Sequence, residues 1–429
     1  MHRIVIVGGG AGGLELATRL GRKLGGRQAE IVLVDGSPTH IWKPLLHEVA
    51  TGALNTGEDE VNYFGHAWHN GYRFEFGWMD GLDREARRIH IAAVHDRTGR
   101  ELAAARTLHY DTLVLAVGAI ANDFGTSGAR EHCMFLNNPA DAEALRRRIL
   151  DESFAVAASG DAVRKLSIGI VGGGPTGVEL AAEIDHTIRE MHHLGANLSP
   201  AQLEITVIEG APRILASAPE SLSRYAEARL AERGILVACN SQVAEVDAQG
   251  FMLRDGRRII SAIRVWAAGV KAPQWLTTLG LHTNRLNQIE VTTALQTLTD
   301  PDIFALGDCA SAPNGDGGTP LPATAQVAHQ QAEWLAGMLT DRLKGRAPSE
   351  FVFKPQGMMV SLGKHTAVGS LAAIVGPQRD YYVQGRGAKL IYASLYRLHQ
   401  AAVHGWVLAA LLFIGDKLRG VARPTLKLH

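Results

Sequence analysis

Two strand–turn–helix patterns of the same kind predict an α/β fold for this 429-residue chain. In each, an apolar run precedes a glycine fingerprint of the form G-x-G-x-x-G, at 4–13 and again at 168–177. Such glycines allow a tight turn and let backbone N–H groups approach a pyrophosphate at the start of a helix. A third observation is a wholly apolar stretch at 406–414. The sequence therefore predicts two Rossmann-like dinucleotide-binding domains followed by a C-terminal membrane-associating segment.

The overall composition is that of an ordinary globular protein of two or three domains. Basic and acidic residues balance at 43 each, so no charge excess points to nucleic acid. The three cysteines form no C-x-x-C pair, and we expect neither a disulfide framework nor a metal site. The first strand starts at the N-terminus itself, which predicts no signal peptide and a cytoplasmic setting.

The first fingerprint is followed by the other parts of a nucleotide-binding unit. A helix is predicted over 14–24 and a strand over 30–34, which ends at Asp35. An acid about 20 residues beyond the glycines can accept hydrogen bonds from a ribose. The residues expected to bind this dinucleotide are Gly8, Gly10, Ala11, Gly12, Gly13 and Asp35.

The second fingerprint repeats the arrangement with a longer interval. A helix is predicted over 177–192 and a strand over 203–208, which ends at Glu209. An acid there favours NAD over NADP because it repels a 2′-phosphate, although Arg213 nearby weakens the preference. The expected binding residues are Gly172, Gly174, Gly177, Glu179 and Glu209.

Three later segments assign the fingerprints to different dinucleotides. Residues 302–308 predict a strand ending at Gly307 and Asp308, which resembles the second flavin motif of the two-dinucleotide-fold flavoproteins. Residues 110–118 and 265–269 predict strands that return from the two nucleotide units and end at Gly118 and Gly269.

That order of segments predicts the domain organisation. Non-covalent FAD is expected in a discontinuous domain, 1–125 with 270–345, and NADH in the nested domain, 150–269. The remainder, 346–429, is expected to be a membrane-anchoring region with amphipathic helices.

Four stretches resemble the type II NADH:quinone oxidoreductases, which are single-chain flavoproteins that pump no protons. These stretches are T-H-I-W-K-P-L-L-H-E-V-A (39–50), the second fingerprint with its helix (171–184), A-Q-V-A-H-Q (325–330) and S-L-G-K-H-T-A-V-G (361–369). The resemblance covers essentially the whole chain. It implies a disulfide-reductase-like fold and FAD-dependent transfer of two electrons from NADH to a membrane quinone in a respiratory chain. One departure is A-V-G at 116–118, where A-T-G is common.

The A-Q-x-A-x-Q match implies a quinone site. Gln326 and Gln330 lie four apart on a predicted helix and so share one face. Their uncharged amides suit a quinone carbonyl in an apolar pocket. We expect Pro320 and Pro322 to start that helix, which would bring its N-terminus near the flavin.

The resemblance implies further contacts by position. Ala325, Gln326 and Lys43 are implied as flavin contacts. Glu179 and Lys364 are implied as a proton path to the quinone, and for both an ordinary ion pair is the alternative.

The C-terminal segment predicts attachment to a membrane surface. From Lys389 onward, apolar residues recur at about one-turn spacing before the apolar stretch begins. That stretch is far shorter than the roughly 20 residues needed to span a bilayer, so we expect it to lie in the interface. The prediction is a peripheral protein on the cytoplasmic side of the inner membrane, and a homodimer.

Several alternatives remain open. A sulfide:quinone oxidoreductase needs paired cysteines near the flavin, and Cys309 with Cys133 could supply them. A disulfide reductase needs a C-x-x-x-x-C pair, but 42–50 contains no cysteine. A ferredoxin reductase would lack the apolar tail. Outside enzymes, an NADH-sensing flavoprotein or an apoptosis-factor-like flavoprotein fits the fingerprints.

Overall fold

The fold consists of two compact units, each assembled from separate stretches of chain. A computed structural model describes residues 1–96, 98–161, 163–315, 318–347, 349–363, 366–371 and 381–422. Unit 1 comprises Met1–Trp42, Glu60–Ile120 and Val270–Lys354. Unit 2 comprises Lys43–Asp59, Ala121–Gly269 and Pro355–His429. The three-part division expected from the sequence stays a prediction.

Unit 1 is built on a five-stranded parallel sheet. In spatial order its strands are Ile303–Ala305, Thr112–Leu115, His2–Val7, Ala29–Asp35 and Arg73–Phe76. Its α-helices are Ala11–Leu24, Tyr63–Asn70 and Ala325–Arg342, with 3₁₀ turns at Gln274–Thr278 and Gly307–Cys309. The central strand is almost continuously apolar and buried from Ile4 to Val7, as expected for a parallel strand covered on both faces.

An antiparallel sheet and several shorter strands complete unit 1. A three-stranded sheet is formed by Arg106–His109, Arg88–Ile91 and Met79–Asp83. Smaller strands lie at Thr39–His40, Val61–Asn62, Val94–His95, Glu101–Ala103, Ile120–Ala121, Val270–Lys271, Ile289–Glu290 and Ala310–Ser311.

The first fingerprint helix (Ala11–Leu24) packs tightly against the helix Ala325–Arg342, here called the glutamine helix. An added Cβ at Gly12 would lie 3.2 Å from the carbonyl oxygen of Ala328, so a glycine permits this approach. The glutamine helix begins at Ala325 because the Thr324 side chain caps it by accepting from the Val327 N–H. The expected start at the two prolines is therefore wrong.

Unit 2 repeats the parallel sheet. In spatial order its strands are Met134–Phe135, Ile263–Trp266, Leu166–Val171, Leu203–Ile208 and Leu236–Ala238. The helical segments are Lys43–Leu45 (3₁₀), Leu46–Thr51, Thr56–Asp59, Ala129–His132, Pro139–Ala158, Pro175–His193, Pro200–Gln202 (3₁₀) and Glu220–Glu232. An antiparallel sheet of Val243–Asp247, Gly250–Leu253 and Arg258–Ile260 packs Phe251 into a core with Trp266.

The C-terminal part of unit 2 is a sheet followed by two helices. The antiparallel strands are Met358–Ser361, Ala367–Leu371 and Tyr381–Gly385. The helices Arg386–His404 and Trp406–Ala422 are separated by Gly405, whose φ of 88° ends the first of them. None of the helices in the described ranges combines the length and apolar character needed to cross a membrane.

Candidate functional site: two nucleotide cradles and a buried acid cluster

The first fingerprint is held in shape by Asp35. Its Oδ2 accepts a hydrogen bond from the Gly9 N–H at 2.6 Å, and its Oδ1 accepts from the Ser37 N–H at 2.7 Å. Burial raises the pKa of Asp35, and these two N–H groups oppose the rise. The carboxylate therefore lies directly beside the turn, and its predicted hydrogen bonds to a ribose stay a prediction.

Glycine is required where the fingerprint folds back on itself. Gly8 has a φ of 102°, and an added Cβ at Gly13 would lie 1.8 Å from the Gly8 carbonyl oxygen. At Gly10, by contrast, an added Cβ meets no atom within 4 Å. Open space therefore lies at the N-terminus of the first fingerprint helix, and a pyrophosphate fits there. Tyr63 supports the turn from the other side, since its buried hydroxyl donates to the Gly9 carbonyl at 2.5 Å.

The second fingerprint reproduces this geometry in unit 2. Glu209 Oε2 accepts from the Gly173 N–H at 2.6 Å, and Oε1 accepts from the Ala211 N–H at 2.7 Å. Gly172 has a φ of 113°, and a Cβ at Gly174 again meets no atom within 4 Å. Each fingerprint turn, with its carboxylate and the open space at its helix start, is called a cradle here, and the residues of both cradles fit a dinucleotide.

Arg213 has partners within its own loop. Its guanidinium donates to the Leu215 carbonyl at 3.1 Å and to the Ala216 carbonyl at 2.7 Å. These bonds hold the guanidinium against the backbone of its own loop, and the preference for NAD over NADP stays a prediction.

The segment predicted as the second flavin motif is a short strand followed by a 3₁₀ turn with Asp308 at its centre. The Gly307 N–H donates to the Gln331 side chain at 2.7 Å, and the Gln288 side chain donates to the Asp308 carbonyl at 3.0 Å. Sequence reasoning missed both glutamines. Gln331 is 1% exposed on the inner face of the glutamine helix, and its position beside an apolar stripe was the available signal.

The remaining predicted flavin residues occupy turns and helix starts. Gly118 and Gly269 have φ values of 69° and 64° after their return strands, so glycine suits both. Ala325 begins the glutamine helix, and Ala11 begins the first fingerprint helix. Lys43 is exposed at the start of a 3₁₀ turn in unit 2.

The two predicted quinone-site glutamines both lie in the glutamine helix and are half-buried. Gln330 Nε2 donates to the Lys354 carbonyl at 2.8 Å, and Gln330 Oε1 accepts from the Lys354 N–H at 3.0 Å. This amide therefore clamps the chain at Lys354 against the glutamine helix.

Glu179 lies in a cluster of buried titratable groups in unit 2. Its side chain is 7% exposed, and Oε1 accepts from the Ser361 N–H at 2.9 Å. Oε2 lies 3.7 Å from Nδ1 of the buried His47. The Tyr392 side chain is also hydrogen-bonded to Glu179. Lys389 approaches from the same C-terminal helix as Tyr392, with Nζ donating to the Ser361 hydroxyl at 2.7 Å.

Burial sets the protonation of this cluster. It raises the pKa of Glu179 to about 8, with the Glu48 carboxylate adding to the rise. Burial likewise raises the pKa of Glu48 to about 7. It lowers the pKa of His47 to about 3, with Lys389 adding to the fall. Near neutral pH the cluster therefore holds a protonated Glu179 beside a neutral imidazole, and it can release a proton.

Lys389, Tyr392 and His47 are the members that sequence reasoning missed. His47 belongs to the P-L-L-H-E-V-A stretch, and Lys389 and Tyr392 sit three apart on one helix, which was the only local signal. Lys364, the predicted partner of Glu179, lies outside the described residues. Among the described residues of the cluster, Lys389 provides the positive charge.

The last helix exposes most of the apolar side chains that the structure describes in it, which lie at 406–414. Trp406 is 72% exposed and Val407 78%. The other exposed apolar side chains of this helix are Leu408, Leu411, Phe413 and Ile414. Here this set is called the tail patch. The Arg397 guanidinium lies 5.2 Å from the Phe413 ring centroid, so a cation borders the patch.

The thiols of Cys309 and Cys133 are poorly suited to the redox chemistry of sulfide. Cys309 is fully buried, and its thiol contacts the Leu115 and Leu306 carbonyls. Burial raises the pKa of Cys309 to about 12, and that of Cys133 also to about 12. Both thiols are protonated at neutral pH and poorly nucleophilic. The sulfide:quinone alternative is not favoured.

Comparison with known proteins shows the family to which this chain belongs. The family model described as pyridine nucleotide-disulphide oxidoreductase matches residues 2–332. The type II NADH:quinone oxidoreductase of Haemophilus influenzae is 39% identical over the full length of both chains. The chain belongs to the type II NADH:quinone oxidoreductases. It is an FAD-binding oxidoreductase of the disulfide-reductase fold, with NADH as its substrate.

Solved structures share this fold. The NDH2 of Plasmodium falciparum, determined in complex with NADH, matches 99% of this chain and 100% of its own, with a TM-score of 0.82 and 19% identity. The sulfide:quinone oxidoreductase of Aquifex aeolicus matches 94% of this chain and 92% of its own, with a TM-score of 0.74 and 19% identity. At these identities the likeness concerns the fold alone.

Proposed function

We propose that this chain transfers two electrons from NADH to a membrane quinone through non-covalently bound FAD, without proton pumping, in a respiratory chain. The observation that carries the proposal is the pair of cradles, each closed by a carboxylate on its fingerprint, in a chain that also holds a buried proton donor. When bound, FAD supplies the redox chemistry by accepting electrons from NADH and passing them to the quinone. The residues contribute binding, placement and proton supply.

FAD is assigned to the first cradle and NADH to the second, and the binding of both rests on backbone and carboxylate groups. The fingerprint N–H groups take the two pyrophosphates, while Asp35 and Glu209 keep lone pairs for ribose hydroxyls. The turn at Gly307 and Asp308 is braced by Gln331, which accepts from the Gly307 N–H, and the Asp308 side chain is proposed to bind the ribityl hydroxyls. Gly118 and Gly269 allow the backbone to approach each ligand.

The quinone is proposed to bind at the start of the glutamine helix. Gln326 offers an amide to a quinone carbonyl, and Gln330 positions the helix against Lys354. The N-terminal N–H groups at Ala325 carry partial positive charge, which stabilises electron density on a neighbouring ring. Lys43 is proposed as a further flavin contact.

Proton supply to the quinone is proposed for Glu179. Its Oε1 accepts from Ser361, so the proton sits on Oε2, the oxygen facing His47. After the proton leaves, Lys389 and Tyr392 stabilise the carboxylate. The proton is then replaced from solvent, with Glu48 and Lys364 as proposed members of the path.

The tail patch is proposed to bind the protein to a membrane surface. Six apolar side chains on one helix, bordered by Arg397, match the chemistry of a lipid interface. We propose the cytoplasmic face of the inner membrane as its location and a homodimer as its assembly.

Anaerobic spectroscopy of the purified protein tests the electron-transfer proposal. A yellow protein should lose its flavin absorbance when NADH is added and regain it when a short-chain quinone follows. Sulfide as the donor should leave the absorbance unchanged. Failure of NADH to bleach the flavin would overturn the proposal.

A further inference from the structure

Trp78 is an exposed aromatic residue beside the first nucleotide cradle, and the function proposed above gives it no role. It is 65% exposed, which is high for an indole. It stands in unit 1, on the turn after the strand Arg73–Phe76 that pairs with the strand ending at Asp35. We propose that Trp78 stacks on the adenine ring of FAD and slows the release of the cofactor.

The backbone places Trp78 next to the ribose acid. Asp35 pairs with Phe76 in the sheet, and the Gly77 N–H donates to the Asp35 carbonyl at 2.9 Å. The Ala92 N–H donates to the Trp78 carbonyl at 2.9 Å. Arg106 adds a bond to the Phe76 carbonyl at 2.5 Å and pairs with Glu75. The indole is thus carried by a turn fixed on both sides.

The orientation of the ring follows from its contact with Gly36. An added Cβ at Gly36 would lie 2.0 Å from Cε2, 2.1 Å from Cδ2 and 2.5 Å from Cζ2 of Trp78. Cδ2 and Cε2 form the fused bond inside the indole, so an atom can approach both this closely only from the ring face. Trp78 therefore lies with one face against the Gly36 backbone. Glycine at 36 is required for this contact.

Trp78 lies close enough to Asp35 to contact the base of an adenosine whose ribose is bound by that carboxylate. Gly36 follows Asp35 directly, and consecutive Cα atoms are about 3.8 Å apart. A ribose hydrogen-bonded to the Asp35 carboxylate brings its adenine within reach of the Trp78 indole. Aromatic rings in proteins bind bases by stacking regardless of base identity. Adenine is the base of FAD, so the inference rests on the proposed assignment of FAD to this cradle.

The release rate of FAD from the purified holoenzyme tests the proposal, measured by flavin fluorescence after dilution. Trp78→Leu keeps an apolar contact with Gly36 but removes the aromatic face, and it should release FAD on the order of tenfold faster. Trp78→Phe should stay within about threefold of the wild type because it retains a ring. The control is Trp68→Leu, an 85% exposed tryptophan of the same unit, which should leave the rate unchanged.

The outcomes separate stacking from other roles. Release at the wild-type rate in Trp78→Leu would overturn the inference. Equally fast release in the Leu and Phe variants would also overturn it, because bulk at the site would then matter rather than an aromatic face. Flavin content of the wild type is measured first. A protein that purifies without FAD contradicts the proposed function itself, whereas an FAD-loaded protein indifferent to Trp78 contradicts only this inference.

Discussion

Gln330 forms a two-point amide clamp on Lys354, donating to its carbonyl at 2.8 Å and accepting from its N–H at 3.0 Å. The clamp fixes the glutamine helix against a stretch of chain beyond its C-terminal end, and its contribution to stability can be measured.

Substitution of the two glutamines should affect different properties. Gln326→Leu should slow reoxidation of the flavin by quinone on the order of tenfold, because a hydrogen bond to the quinone carbonyl is lost. Gln330→Leu should instead lower the melting temperature, because the Lys354 backbone loses its partners. Stopped-flow measurement of each half-reaction, with thermal unfolding, distinguishes them. Slowing of the NADH half-reaction in Gln326→Leu would contradict a quinone role.

Glu179 predicts a pH dependence confined to the quinone half-reaction. Its pKa is raised to about 8, so it is protonated below that pH and loses its proton as pH rises through it. The rate of quinone reduction should therefore fall above about pH 8, while flavin reduction by NADH should not follow this profile. Glu179→Gln keeps an acceptor for Ser361 but cannot release a proton, so its quinone rate should be low and flat with pH.

The control for that experiment is Glu190→Gln, the same change on the same helix, which should keep the wild-type profile. A wild-type pH profile in Glu179→Gln would show that another group supplies the proton.

Glu209 should govern the choice between NADH and NADPH. Glu209→Gln removes the negative charge beside the ribose, while Arg213 stays bonded to Leu215 and Ala216. The ratio of kcat/KM for NADH over NADPH should fall on the order of tenfold or more. Glu204→Gln, an exposed glutamate on the same strand, is the matched control. An unaltered ratio would mean that the ribose is bound elsewhere.

His47 should make the protein sensitive to acid. Its pKa is lowered to about 3 in the folded state, against an ordinary value of 6.5. Between these values the unfolded chain binds a proton that the folded chain does not, so stability falls as pH drops below about 6.5. His47→Gln should lose less stability than the wild type between about pH 7.5 and 5, and the exposed His90→Gln should behave as the wild type. Urea unfolding at the two pH values measures this, and parallel losses in all three proteins would contradict it.

The tail patch predicts where the chain can be shortened. A chain ending at Gly405 loses the helix Trp406–Ala422 but keeps Lys389 and Tyr392 of the Glu179 cluster. It should keep FAD and reduce soluble acceptors with NADH, yet sediment poorly with lipid vesicles, because the exposed apolar area is gone. Leu411→Gln in the full chain should weaken sedimentation partially. Undiminished vesicle binding by the shortened chain would exclude the patch as the attachment surface.

Local features of this protein could be predicted from its sequence. Both fingerprints were predicted in strand–turn–helix units, and the structure has strands before and after each of them, with Asp35 at the end of one second strand and Glu209 directly after the other. That these acids bond the fingerprint turns is a finding of the structure. The reason is that a glycine turn, its helix and the following strand form a contiguous unit whose geometry depends on spacing along the chain. The family followed from the same motifs taken in order, and the relatives confirmed it.

The chemical state of the site depended on packing between distant segments. Glu179 is brought together with His47, Ser361 and Lys389 from three separate stretches of unit 2, and its raised pKa results from that burial. Spacing along the chain carries no information about desolvation, so the sequence named Glu179 but missed the residues around it. For the same reason it could not predict the partner of Gln330, because the clamp on Lys354 forms only when a remote loop returns to the helix. Motifs along the chain thus determined the family, and tertiary packing decided the protonation of Glu179 and the partner of Gln330, because both depend on contacts between distant segments.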